Sequence, residues 1–403
     1  MEQPVENSVN SSLPSTVWKL GWVSLFMDLS SELIHAVLPV YLQVVLGLSM
    51  VEIGLVEGVA EATASVLKGV AGGISDWIGR RKILALAGYG LSAVVKPMFP
   101  LAAGASEIVA ARFLDRIGKG LRGAPRDAMV ADATPPPLRQ RAYGLRQSMD
   151  VAGAVIGPLA AIFLLGNWHA SMRQLLWFAV VPAWISVAIL AMGVRDTRPA
   201  HAAASRHVRH GSRAWRGFPM AYWGLLATAG LFTMARLPAA FLVLRAQDEG
   251  VPLAWIPMVT LLFSLLYALS AYPAGRLAER AGTSTLLGSG MAALLAAMAL
   301  LAHGGMVWLW AGVALYGLHL GMTQGVLAGA VANVAPAALR GTAFGVYYVL
   351  TGMLQLTAGL VAGWLWQRWG AGVAFGCGAA MAALALFTLL PLKRFGATAD
   401  RPR

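Results

Sequence analysis

Cysteine is almost absent. Cys377 stands alone within an apolar segment, so the chain can form no internal disulfide, and no role is assigned to it. Charge is scarce as well: Asp, Glu, Lys and Arg make up 12% of the 403 residues, against about 25% in soluble domains, which excludes an ordinary water-soluble fold. The acids are the scarcer sign, 18 against 31 basic residues, for a net charge of +13 and an isoelectric point near 10.4. Such an excess can signal nucleic acid. Here much of it falls in short loops on one side of the apolar segments, which membrane orientation alone requires, so no nucleic-acid partner is expected. No His-rich metal cluster, nucleophile elbow, phosphate-binding loop or nucleotide motif is visible. Enzymatic and ATP-driven readings are therefore set aside, and no cofactor or metal is expected. No sizeable soluble module is present either, which disfavours a membrane sensor or scaffold.

What is present is apolar length. Hydrophobic residues make up 58% of the chain, the mean hydropathy is +0.65, and apolar runs of about 20 residues recur throughout, as membrane-spanning helices require. A membrane β-barrel would instead show short alternating segments. The 45 glycines and 20 prolines suit closely approaching helices with tolerated breaks. About twelve spans can be counted, giving an all-α membrane protein. A polar tail, 1–16, precedes six spans in 17–194; a polar linker, 195–219, leads to six more in 220–391, and 392–403 form a second tail. The first apolar segment is too long for a signal peptide and has no cleavage site. Arg80, Arg81, Lys82, Arg139, Arg141, Arg276, Arg280, Arg340, Lys393 and Arg394 fall on one side under this count, together with the arginine-rich linker. Both termini are therefore expected in the cytoplasm of a cell with this protein in its inner membrane.

The two halves repeat. GGISDWIGR (72–80) returns as GRLAERAGT (275–283), with Gly72, Asp76 and Gly79 matching Gly275, Glu279 and Gly282. LRQRAYG (138–144) returns as LRGTAFG (339–345). Both offsets are near 200 residues, which suggests a duplicated six-helix unit with a solute site between the halves near mid-membrane.

Gly72-x-x-x-Asp76-x-x-Gly79-Arg80-Arg81-Lys82 resembles the loop signature of the major facilitator superfamily, and its degenerate second copy is usual there. Arg112, followed by Gly118 and Gly120, is similar to that family's fourth-helix arginine motif, although the glycine spacing departs from it. Gly153-x-x-x-Gly157-Pro158 resembles a motif of the drug/proton antiporter branch. The resemblance implies two pseudo-symmetric six-helix bundles, alternating access, and a gating latch that involves Asp76, Arg80, Lys82, Arg112 and Glu279. Gly153, Gly157 and Pro158 would form a helix seam. It also implies export in preference to uptake.

The chemistry is concentrated in the first half. In RFLDRIGKGLRGAPRDAMVAD (112–132), Arg112, Asp115, Arg116, Lys119, Arg122, Arg126 and Asp127 fall within about 140° on a helical wheel, opposite Phe113, Leu114, Ile117 and Leu121. Charges at membrane depth cost about 2.5–3.5 kcal/mol each; either they pair to hold helices together, or they line a path. Arg116, Lys119, Arg122 and Arg126 are candidates for an anionic group of the solute, because guanidinium and carboxylate or phosphate pair well. The first span places Ser24, Asp28, Ser31, Glu32 and His35 on one face. Burial raises a carboxylate pKa and a nearby cation lowers it, so Asp28, Glu32, Glu61 and Asp150 are candidates for proton coupling, with His35 beside the solute. Glu57 and Lys68 read as a structural seam, and Lys96, before Pro97, as a snorkelling lysine at a kink. The spans of the second half are nearly free of charge, Arg236, His303 and His319 being the exceptions. Tyr316, Gln324 and Tyr347 are its candidates for lining a cavity.

The sequence thus points to a proton-coupled secondary transporter of a small organic solute with an anionic group, acting as a monomer in the bilayer. Export is the favoured direction. Proton-coupled uptake of an anionic nutrient or metal chelate is the alternative.

Overall fold

The computed structural model describes residues 13–78, 80–135, 138–195, 218–336 and 339–396. Most of the linker and both tails lie outside them. Twelve helical units follow one another: α1 Ser15–Val45, α2 Met50–Ile78, α3 Arg81–Leu101, α4 Ala105–Ala133, α5 Arg139–Gly166, α6 Met172–Gly193, α7 Met220–Asp248, α8 Met258–Ala281, α9 Thr283–His303, α10 Met306–Val334, α11 Arg340–Trp369 and α12 Ala371–Gly396. No strand occurs among the described residues. Nine units are long and apolar enough to cross a membrane. Of the rest, α2 and α4 carry the charges, and α12 has the shorter apolar stretch Ala371–Phe387. Trp22, Phe163, Val181, Leu269 and Phe387 are exposed, a surface suited to lipid.

Several breaks trace to proline. Pro39 has no N–H for the His35 carbonyl, and α1 bends at Ala36–Val37 before ending in a wider turn over Tyr41–Val45. The expected seventh span is interrupted: α7 is helical over Met220–Ala235 and again over Ala239–Asp248. Pro238 disfavours helical backbone at the residue before it, and Arg236 is extended (φ −93°, ψ 109°). The Tyr316 hydroxyl donates to the freed Leu237 carbonyl at 3.0 Å. Such a break is tolerated at depth where protein groups satisfy it.

The duplication is visible in the backbone. Leu138 N–H bonds Pro135 O at 2.9 Å, and Leu339 N–H bonds Pro336 O at 2.8 Å, 201 residues later. A Cβ on Gly88 would lie 2.9 Å from Arg122 Cβ; a Cβ on Gly290 would lie 2.6 Å from Thr323 Cγ2. The same helix crossing is thus built twice, with arginine in one copy and threonine in the other.

The bundles meet along α2 and α11. Gly54, Gly58 and Gly69 face Gly359, Leu356 and Gly345, and a Cβ on Gly58 would lie 2.9 Å from Leu356 Cα. Small residues allow this approach. At the ends away from the termini, Leu38–Val40 of α1 packs on Ala239–Asp248 of α7, and α5 packs on the turn Leu253–Trp255.

Candidate functional site

Between the bundles lies a cavity of about 790 Å³. Its lining extends to Asp127, Gln147 and Ala328, toward the ends that carry the termini. At the far ends the bundles meet through the α1–α7 and α5–turn contacts.

The first half supplies nearly all of the charge. The carboxylates in the lining are Asp28 and Glu32 from α1, Glu57 and Glu61 from α2, Asp127 from α4 and Asp150 from α5. The cations are Lys68 from α2, Arg112, Arg116, Lys119, Arg122 and Arg126 from α4, Arg146 from α5 and Arg236 from α7. Eight cations against six carboxylates leave the wall at +2 with all of them ionised.

Most of these charges are already matched. Arg112 Nη2 donates to Glu57 Oε2 at 2.7 Å, both side chains being buried. Arg116 meets Glu61 at 3.1 Å, and its second Nη lies 3.1 Å from His35 Nε2. The other ring nitrogen of His35 lies 3.2 Å from Glu32. Arg122 donates to Ser92 Oγ at 2.6 Å and stacks over the Tyr89 ring at 4.9 Å. Arg126 donates to Ser24 Oγ at 3.0 Å and reaches Asp127 at 3.1 Å and Asp150 at 3.6 Å. Arg146 completes this group through Asp150 and Asp127. Lys68 lies over the Tyr348 ring at 4.7 Å.

Of the four basic residues expected to contact solute, Arg116, Arg122 and Arg126 therefore have protein partners. Lys119 does not: it is exposed in the cavity with no hydrogen bond or ion pair among the described residues. Asp28 is likewise without a direct partner, and Glu32 has only His35. The four carboxylates expected to handle protons all reach this one cavity. His35, Tyr316, Gln324 and Tyr347 line it too.

The glycines expected at a seam place α5 on the acidic face of α1. A Cβ on Gly153 would lie 2.5 Å from Leu25 O and 3.1 Å from Asp28 Cβ; one on Gly157 would lie 2.7 Å from Glu32 Cβ. Gly157→Ala is therefore expected to force α1 and α5 apart and cost about 1–3 kcal/mol. Thermal unfolding in detergent should show it, with Gly166→Ala, whose Cβ would meet only Ala254 Cβ at 3.7 Å, near parent stability.

The expected latch is described only in part, because the Asp76 and Glu279 side chains lie outside the described residues. Arg80 is exposed, and Lys82 Nζ donates to Ala191 O at 2.7 Å. Arg81 holds Asp132 and donates to Ala128 O at 3.1 Å, which ties α3 to the end of α4.

Two features escaped the sequence reading. Lys96 does not snorkel: it is 1% exposed, 3.3 Å from Asp115 and within 3.3 Å of Ser31 Oγ. Its partner comes from another helix, which no local pattern reveals. Arg236 lines the cavity opposite α4. The available signal was an arginine immediately before Leu-Pro, inside one of the nearly uncharged spans of the second half.

Comparison with known proteins gives concordant matches. The profile of the Major Facilitator Superfamily matches residues 20–355. An uncharacterised MFS-type transporter of Methanocaldococcus jannaschii, MJ1317, is 27% identical over 371 residues, which is 90% of this chain and 91% of that protein. Among solved structures, a POT family transporter in complex with 5-aminolevulinic acid superposes with a TM-score of 0.80 at 13% identity, covering 96% of this chain and 97% of that one. The human organic anion transporter MFSD10 gives 0.65 at 17% identity, covering 96% and 100%.

Proposed function

The chain belongs to the major facilitator superfamily, and from that premise we propose that it carries a small organic anion across the cell (inner) membrane by proton-coupled alternating access, as a monomer with cytoplasmic termini. The observation that carries this reading is the +2 wall of the central cavity, with Lys119 exposed and unpaired within it. A cation that faces a cavity at membrane depth without a protein partner is unfavourable, and an anionic solute compensates it.

Of the carboxylates in the lining, Asp28 and Glu32 have no Lys or Arg ion pair among the described residues, so a proton taken up there breaks no salt bridge to either. It raises the wall from +2 to +3. Proton and anion then favour each other's binding, as reciprocal linkage requires, and this supports cotransport of the two. In this reading Lys119 is the primary contact. Arg116, Arg122 and Arg126 shape the basic wall around it, His35, Tyr316, Gln324 and Tyr347 meet the solute body, and Glu61 and Asp150 set the charge around the proton site. The latch residues Asp76, Arg80, Lys82, Arg112 and Glu279 bias which side is open. Export by antiport, of the kind found in the drug/proton branch, is the second reading. It is supported by Gly153-x-x-x-Gly157-Pro158.

Proteoliposomes holding a trapped pH-sensitive dye test both. Organic anions are added outside, singly. Cotransport is expected to acidify the lumen, and Asp28→Asn to remove that response while leaving anion-for-anion counterflow. Lumen alkalinisation would identify antiport, and anion movement with the dye silent in the parent protein would sink proton coupling.

A further inference from the structure

Arg236 has no evident partner. It lines the cavity from the break in α7 and makes no hydrogen bond or ion pair among the described residues. The second half contributes no other charge to the lining. The nearest acids in the chain, Asp248 at the far end of α7 and Glu249 just after it, are remote from the break, and Glu249 holds Arg245 at 2.7 Å. Across the cavity, Glu61 is within electrostatic range of Arg236 but is engaged by Arg116 at 3.1 Å. A cation at membrane depth that no protein group matches is costly.

Lys119 is in the same position on the opposite bundle. Of the cations in the cavity wall, these two are left without an acid, hydrogen-bond or ring partner, and they stand one on each bundle. Of the other six wall cations, Arg112, Arg116, Arg126 and Arg146 have acid partners, Arg122 has a hydroxyl and a ring, and Lys68 has a ring, so this remainder is not a general failure to partner charges. Arg236 also sits where the broken helix restarts: Pro238, Ala239 and Ala240 line the cavity, and a helix N-terminus favours negative charge. Around it, Phe232, Phe263, Tyr267, Tyr316 and Tyr347 present apolar and aromatic surface.

Building on the anionic-solute reading above, we infer that Lys119 and Arg236 bind the solute from the two bundles together, and that the solute is an organic anion carrying two negative charges. One doubly charged phosphate or two carboxylates have the same chemistry here. Lys119 supplies a mobile ammonium; Arg236 supplies a fork of donors that can take two oxygens. A solute with a single charge leaves one of the two cations unmatched, which makes Arg236 the specificity-determining residue.

The test uses purified full-length protein in detergent and binding by calorimetry. The probes are phenyl phosphate, phthalate, benzoate and benzyl alcohol, at about pH 8, where a phosphate monoester is doubly charged because its second pKa is about 6. At least one doubly charged probe is expected to bind about tenfold or more tighter than benzoate, the scale of one charge-assisted hydrogen bond. Preference for phenyl phosphate identifies one doubly charged group seated between the cations; preference for phthalate identifies two separate carboxylates. Arg236→Gln should bring the ratio to benzoate close to one, and Arg236→Lys should keep most of it. Size-exclusion profiles confirm that each variant is folded. Equal affinity for singly and doubly charged probes in the parent protein overturns the inference, as does an unchanged ratio in Arg236→Gln. In that case benzoate binding lost in Lys119→Gln leaves the anionic-solute reading intact. Binding of benzyl alcohol but of no anion removes both.

Discussion

Glu57→Ala is expected to lose most of its folded, monodisperse protein. Arg112 and Glu57 are both buried and meet at 2.7 Å, and Arg112 Nε and Nη1 find no other acceptor. Without Glu57 the guanidinium keeps its charge and loses the group that matched it. Removing one partner of a buried pair costs about 3–5 kcal/mol, a large part of a total stability of about 5–15 kcal/mol. The double variant Glu57→Leu with Arg112→Met should recover most of the loss, because apolar replacement of both partners removes the unmatched charge as well. Thermal unfolding and size-exclusion chromatography in detergent read both. A single variant as stable as the parent would show that water or lipid already solvates this pair. A folded but transport-inactive double variant would support the gating role proposed for Arg112.

This pair also marks where sequence reading stops. The helices, the charged face of α4 and the duplication at about 200 residues follow from hydropathy, 3.6-residue periodicity and two short repeats, because each is local in the chain. The faces were legible too: Asp28, Glu32 and His35 do share one side of α1, and Phe113 on the apolar side of α4 is exposed. Pairing is another matter. Arg112 finds Glu57 on α2, Lys96 finds Asp115 on α4 and Arg126 finds Asp150 on α5. Each pair joins different helices, so helical phase narrows the choice without making it. The break in α7 was signalled by Pro238, but its meaning depends on the cavity beside it. There Arg236, the one charge that the second half gives to the lining, faces the basic helix of the first.

The α4 charges therefore divide into two kinds, and Lys119→Glu separates them. Lys119 is exposed in the cavity and engages no protein group directly, so its replacement strands no buried partner. Unfolding close to the parent temperature is expected, in contrast to Glu57→Ala on the neighbouring helix. Function should respond in the opposite sense. The wall falls from +2 to neutral, and a carboxylate now stands near Asp28, Glu32 and Glu61, all within electrostatic range of position 119. Loss of one charge-assisted contact weakens binding by about ten- to a hundredfold, which is the expectation for Lys119→Gln. Reversal adds repulsion of the incoming anion, so Lys119→Glu should exceed about a hundredfold and abolish transport at ordinary solute concentrations. Calorimetry with the anion that gives the strongest dye response provides the number, and unfolding of the same sample provides the control. Anion affinity unchanged in a folded Lys119→Glu protein would mean that the solute does not meet α4, and that the basic face serves only to hold the first bundle together.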